Sequence, residues 1–277
     1  MDILSNPLSF MFRWIFLAVL LIITMMIRSL KPYSNNFFEG DLNLSYIPGN
    51  SISLMSIVII CYVLPYVVLC ALFDSFYSKR KTHSMRLITL YVFVSSFVLS
   101  YFLSILLSTL FGSLKPSFFH LCRYDFTILE NVISFGNYGA IGSITKCSAP
   151  IEDIYDAMRS FPSISVSIAI AGCSVTLYIL IYYVKQQSKA YYQTLLRESF
   201  RYVLAIIAIV ICVIIYRSNQ ASLTDILGGI LLGTSACYIC CKSGFKNVQA
   251  SDSNYIIGNT DLLNEKSIYL QSYKSSF

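Results

Sequence analysis

The stretch "LITLYVFVSSFVLSYFLSILLSTLF", Leu87 to Phe111, runs through 25 positions without a charged residue, a proline or a glycine. A helix needs about 20 such residues to cross the hydrocarbon core of a bilayer, so this run is long enough to span. Apolar runs of similar character recur at 9–30, 52–75, 164–184, 200–216 and 223–241. The sequence therefore predicts an all-α fold: a polytopic membrane protein whose six transmembrane helices form one membrane domain over 1–242. The remaining segment, 243–277, is rich in Ser, Asn and Tyr and is expected to be a disordered cytosolic tail. The first run lacks both a basic start and a small-residue cleavage site before "RSLKPY", so it reads as a retained helix.

Composition agrees with this reading and excludes others. Charged residues make up 12% of the 277 positions, about half the share usual in soluble domains. The net charge of +6 sits between the spans, so no nucleic-acid partner is expected. Most of the nine cysteines fall inside apolar runs, where they act as small apolar residues. The cluster Cys237, Cys240 and Cys241 has no histidine near it, and neither a metal nor another cofactor is expected.

Lysine and arginine set the expected orientation. "YSKRKTHSMR" carries Lys79, Arg80, Lys81 and Arg86; the 185–201 segment and the tail are also basic. By the positive-inside rule both termini are cytosolic, and loops 31–51, 113–163 and 217–222 face outside or a lumen. On that oxidising side Cys122 and Cys147 are expected to pair as a disulfide. Asn43, in Asn43-Leu44-Ser45, is the glycosylation sequon on the same face. The membrane is expected to be the plasma membrane or an endomembrane.

Three polar clusters then reach one membrane face. They are "GSLKPSFFHLC" (112–122), "DAMRSFPSISVS" (156–167) and "YRSNQASLTDILGG" (216–229). Cations and hydroxyls gathered at the interface suit an anionic lipid headgroup. Pro162 with Ser163 and Ser165 reads as a helix start whose free amides attract anions. Ser222 and Asp225 read as a capping box, and Gly229 with Gly233 as a close-packing pair.

These same residues carry a resemblance to the eukaryotic lipid phosphate phosphatases of the type 2 phosphatidic acid phosphatase superfamily. "GSLKPSFFHLC" is similar to the family's G-R-L-R-P-x-F-L-x-x-C, and "DAMRSFPSISVS" to E-A-R-x-S-F-P-S-G-H-x-S. "TDILGGILLG" (224–233) resembles S-D-V-L-x-G, and "PYSNNFFEGDLNLSYIP" (32–48) follows the family's first outer loop. The resemblance implies six helices and three outer-face motifs, K-x6-R-P, P-S-G-H and S-R-x5-H-x3-D. It also implies a phosphohistidine mechanism, in which a second histidine protonates the leaving alcohol.

The motif positions depart from that chemistry. Counting back from Asp225, the nucleophile position is Ala221, and the leaving-group acid position is Ser165. The first-motif lysine falls at Ser108 and its arginine at Lys115. The third-motif arginine falls at Ile215, and Arg217 takes its place only with a shortened loop. The chain contains just two histidines: His83 lies in the cytosolic loop, and His120 is the sole outward candidate. Losing the nucleophile of an assembled hydrolase costs on the order of 10⁶ in rate, and general acid work supplies about 10²–10⁴. Serine replaces neither without a base beside it.

The expectation is thus a family member in lipid-phosphate metabolism or signalling that is catalytically inactive. It would bind lipid phosphates such as phosphatidate weakly, through Lys115, Ser163 and Arg217 with help from Arg159. It would act alone, as a homo-oligomer, or as the partner of an active relative. The alternatives are a residual or altered phosphatase using His120, and an unrelated channel or transporter.

Overall fold

The computed structural model describes residues 7–33, 36–39, 41–50, 52–76, 79–125, 141–181 and 191–245. Among them the chain is helical, without strands beyond two isolated bridges. Helix α1 spans Pro7–Ser29. Helices α2 (Leu54–Val58) and α3 (Leu64–Phe76) join through a π-helical turn, Ile59–Val63. Then come α4 (Lys79–Phe111), the short α5 (Phe118–Cys122) and α6 (Ile151–Ala157), α7 (Ile164–Ile179), α8 (Tyr191–Arg217) and α9 (Leu223–Phe245).

Among the described residues five helices are long and apolar enough to cross a membrane: Met11–Ser29, Leu54–Asp74, Thr82–Phe111, Glu198–Arg217 and Leu223–Phe245. The expected span at 164–184 corresponds to α7, an apolar helix of 16 residues; positions 182–184 lie outside the described residues. The basic segment before the 87–111 run is helical from Lys79, so α4 begins well before the apolar run that marks it. Helix α9 continues to Phe245, and 246–277, most of the expected tail, lies outside the described residues.

Helix α7 is the central element. It packs on α4, α8 and the α2–π segment, and Val166, Ile168, Ala169, Ala171 and Val175 are fully buried. Large apolar side chains instead cover the outside of the bundle, among them Phe12 and Phe16 on α1, Ile209 on α8 and Leu231 on α9. Only lipid tails leave such a surface without a hydrophobic penalty.

Glycine lets α9 approach α7. A Cβ on Gly229 would lie 2.8 Å from the Ser163 carbonyl oxygen, and one on Gly233 2.5 Å from that of Ser167. Backbone atoms cannot swing aside, so this contact tolerates only glycine.

A second apolar cluster sits beyond one end of the bundle. Phe37, Phe118, Phe119, Cys122, Tyr124, Ile154, Ala157 and Met158 pack together there. Cys122 and Cys147 are disulfide-bonded within it, with Cα atoms 5.1 Å apart. The Ser148 and Ala149 amides donate to the Cys122 carbonyl. Glu39 ties the first loop to the long one, accepting from Lys146 Nζ at 2.6 Å and Tyr124 Oη at 2.5 Å. Burial pushes the Glu39 carboxyl up, but those hydrogen bonds and the lysine charge outweigh it and hold the group below its ordinary value. The same contact, after burial, pushes the Tyr124 phenol up to about 12. This cap holds α6 and the turn after it over the bundle end.

Candidate functional site

Between the cap and the bundle lies a cavity of about 160 Å³. Arg28 from α1, Tyr101 from α4, Lys115 from the turn before α5, and Asp156, Arg159 and Ser160 around the end of α6 line it. Ser163, Ile164 and Ser165, at the start of α7, and Gln220 also line it. Three cations thus face one carboxylate.

Each cation is placed differently. Arg159 is 3% exposed and held by several partners. Its Nε donates to Thr109 Oγ1 at 3.2 Å, and its Nη2 to the carbonyls of Arg28 and Leu30 at 2.8 and 2.7 Å. Those carbonyls belong to the end of α1, where helical acceptors lack intrahelical partners and the dipole favours a cation. Its remaining nitrogen, Nη1, stands 3.6 Å from Asp156 Oδ1. Arg28 bonds the other carboxylate oxygen, Oδ2, at 3.1 Å and Tyr101 Oη at 3.1 Å.

Lys115 is half-buried, and among the described residues its ammonium has no hydrogen-bond partner. Burial lowers its pKa; Asp156 works against this, and the charges of Arg28 and Arg159 add to it. Burial likewise lowers that of Arg159, with Asp156 opposing.

The N-terminus of α7 supplies the other half of the site. Ser163 is the N-cap by position, yet its hydroxyl makes no capping bond. Among the described residues the Ser163 and Ser165 hydroxyls have no hydrogen-bond partner, and both line the cavity. Together with the first amides of α7 they form a donor set suited to an anion.

Asp225 has another occupation. Its Oδ2 accepts from the Ser222 amide at 2.7 Å, while the Asp225 amide donates to Ser222 Oγ at 3.3 Å. This is the reciprocal capping box at the start of α9. The same carboxylate oxygen accepts from Ser160 Oγ at 2.6 Å, and the Asp225 carbonyl accepts from the Ser163 amide at 3.0 Å. Asp225 thereby joins α9 to the turn that shapes the cavity.

The other sequence-derived positions are dispersed. Ala221 is 3% exposed and is not part of the cavity wall. Ser108 is fully buried in α4, donating to the Ile105 carbonyl at 3.1 Å. Arg217 is exposed at the end of α8, and His120 is exposed on α5; neither lines the cavity. His83 is exposed on α4. Asn43 is exposed in a single 3-10 turn, where the Asp41 side chain accepts from its amide. Among the described residues no group of His, Cys, Asp and Glu could hold a metal ion.

The family model of the PAP2 superfamily matches residues 89–249, more than half of the chain and most of the cavity wall. The chain belongs to the PAP2 superfamily. No curated protein and no solved structure matched it. Membership and the apolar helices make this a multi-pass membrane protein of a phosphatase family.

Sequence reasoning named Lys115, Arg159, Ser163 and Ser165 but missed Arg28, Tyr101 and Asp156 as partners in the site. Arg28 lies on α1, outside the segment that the PAP2 superfamily matches. Its sequence signal is weak: one arginine ending an apolar run reads as an interfacial anchor. The pairing of Asp156 with Arg28 spans 128 positions, which no local pattern reveals.

Proposed function

We propose that this PAP2-superfamily protein binds the anionic headgroup of a lipid phosphate without hydrolysing it. The observation that carries the reading is the cavity wall: three cations, two unpartnered serine hydroxyls and a helix N-terminus, with no imidazole among them. Such a wall can hold phosphate oxygens, and it offers no imidazole to act as nucleophile or as leaving-group acid. Among the described residues Ser163 and Ser165 have no adjacent free base, since Asp156 is paired with arginine and Asp225 with Ser160 and Ser222. An unactivated serine hydroxyl is a weak nucleophile.

The test combines turnover with binding. Purified protein is expected to release no phosphate from phosphatidate, lysophosphatidate or sphingosine phosphate above a mock preparation. It should nevertheless retain phosphatidate-containing vesicles in flotation, more weakly as salt rises. Lys115→Met should abolish the retention. Phosphate release above the mock that His120→Ala or Ser165→Ala abolishes would replace this reading with that of an altered phosphatase.

The basic 77–86 segment and tail support cytosolic termini, with the cavity on the outer or luminal face; a C-terminal tag labelled on intact cells would refute this. A non-hydrolysing chain gains a clear role beside an active relative, and co-purification of phosphatase activity that survives in the Ser165→Ala variant would support such a pairing.

A further inference from the structure

Asp156 is the one carboxylate among three cations in the cavity wall, and its position has a specific consequence. Each of its oxygens faces a different guanidinium: Oδ2 is 3.1 Å from Arg28 Nη2, and Oδ1 is 3.6 Å from Arg159 Nη1. Arg159 has spent its other donors. Nε is used on Thr109, and Nη2 on the two carbonyls ending α1. Among the described residues its Nη1 has only Asp156 as an ion-pair partner. The arrangement of one anion bridging two guanidiniums, with a third cation near, is the arrangement a phosphate would adopt in the same place.

We infer that Asp156 is an internal counter-anion that a headgroup must displace, and that it makes the cavity selective for a dianionic phosphomonoester. The inference rests on the headgroup-binding reading above. The reasoning is electrostatic. A phosphodiester headgroup carries one negative charge, the same as the carboxylate already in place, so exchange gains it little. A phosphomonoester carries roughly −1.5 to −2 at neutral pH. It can engage both guanidiniums and still leave charge for Lys115, whose ammonium is otherwise without a hydrogen-bond partner among the described residues.

The carboxylate is able to leave. Its side chain is 44% exposed, it sits in the last turn of the short α6, and water would solvate it once released. Arg159, by contrast, is fixed by its three other hydrogen bonds and stays to receive the ligand. Asp156 is therefore a specificity-determining residue rather than part of the scaffold.

The experiment measures a ratio of affinities, which a merely structural role would not move. Full-length protein in phosphatidylcholine nanodiscs is titrated with dioctanoyl phosphatidate and with dioctanoyl phosphatidylglycerol, a monoanionic phosphodiester. The wild type is expected to prefer phosphatidate by about tenfold or more, the equivalent of ~1.4 kcal/mol. In Asp156→Asn the phosphodiester should bind about tenfold more tightly and the preference should narrow. Asp156→Ala, which keeps a good helix former in α6, should do the same and guards against a folding defect in the first variant.

A wild type that binds both lipids equally would overturn the inference without any variant. So would an unchanged ratio in both Asp156 variants while Lys115→Met still abolishes phosphatidate binding; headgroup binding would then stand and the counter-anion would not. If neither wild type nor variants bind phosphatidate beyond phosphatidylcholine, both readings fall. Inorganic phosphate titrated in parallel separates a lipid from free phosphate as the ligand, and displacement of Asp156 by either supports the inference.

Discussion

Replacing Arg159 with alanine should loosen the junction between α1, α4 and the end of α6. The side chain is 3% exposed, and three hydrogen bonds to Thr109, Arg28 and Leu30 would be lost with it. Hydrogen bonds from a charged group are worth roughly 1.5–3 kcal/mol each. Arg28 and Leu30 are exposed, so water can take over at their carbonyls, and about 1 kcal/mol per bond is the better figure. The sum is about 3 kcal/mol. For a domain of this size each kcal/mol moves the melting temperature by roughly 2–4 °C, so Arg159→Ala should melt about 9 °C lower. Arg159→Lys should recover only about a third, because an ammonium cannot reach three acceptors in the plane of the guanidinium. Melting followed by intrinsic fluorescence in detergent or nanodiscs measures both. An Arg159→Ala protein melting within about 1 °C of the wild type would show that α1 is held by its apolar contacts alone.

Glu39 should give a pH-dependent effect with a definite sign. Its folded pKa lies below the ordinary 4.5, so its stabilisation is present above that value and is lost as pH falls through the folded one. Glu39→Gln should therefore destabilise by about 2 kcal/mol at neutral pH and by less at an acidic pH, the difference shrinking as pH falls through the folded pKa and the wild-type carboxyl becomes neutral too. Equal melting differences at both values would refute the ion-pair account. Gly233→Leu should cost at least ~3 kcal/mol, because its Cβ would meet a carbonyl oxygen of α7; Thr234→Ala, on the exposed face next to it, should stay within about 0.5 kcal/mol. Cys122→Ser with Cys147→Ser should lower stability by about 3 kcal/mol, on the loop entropy of a closure across a separation of 25. Free thiols at both positions by mass spectrometry without reduction would remove that expectation.

Much of the architecture follows from the sequence because lipid allows few alternatives. A charge-free run such as 87–111 must satisfy its own backbone, and helix is the way to do so within one segment. The capping pattern Ser222 to Asp225 and the pair Gly229 and Gly233 were legible for the same local reason. Each involves residues that neighbour one another on a helix, so spacing alone predicts the contact.

Tertiary structure decided which polar groups meet. Lys115 and Arg217 look equivalent as cations near span ends, yet one enters the cavity wall and the other is exposed beyond it. Arg28 and Asp156, which no sequence pattern joined, proved to be partners. The physical reason is that an ion pair depends on distance in space, and the cap packed over one end of the bundle sets that distance. Its disulfide, its aromatic cluster and the Glu39 bridge hold Asp156 and Arg159 against the end of α1. Periodicity carries no information about which helix ends such a cap will gather.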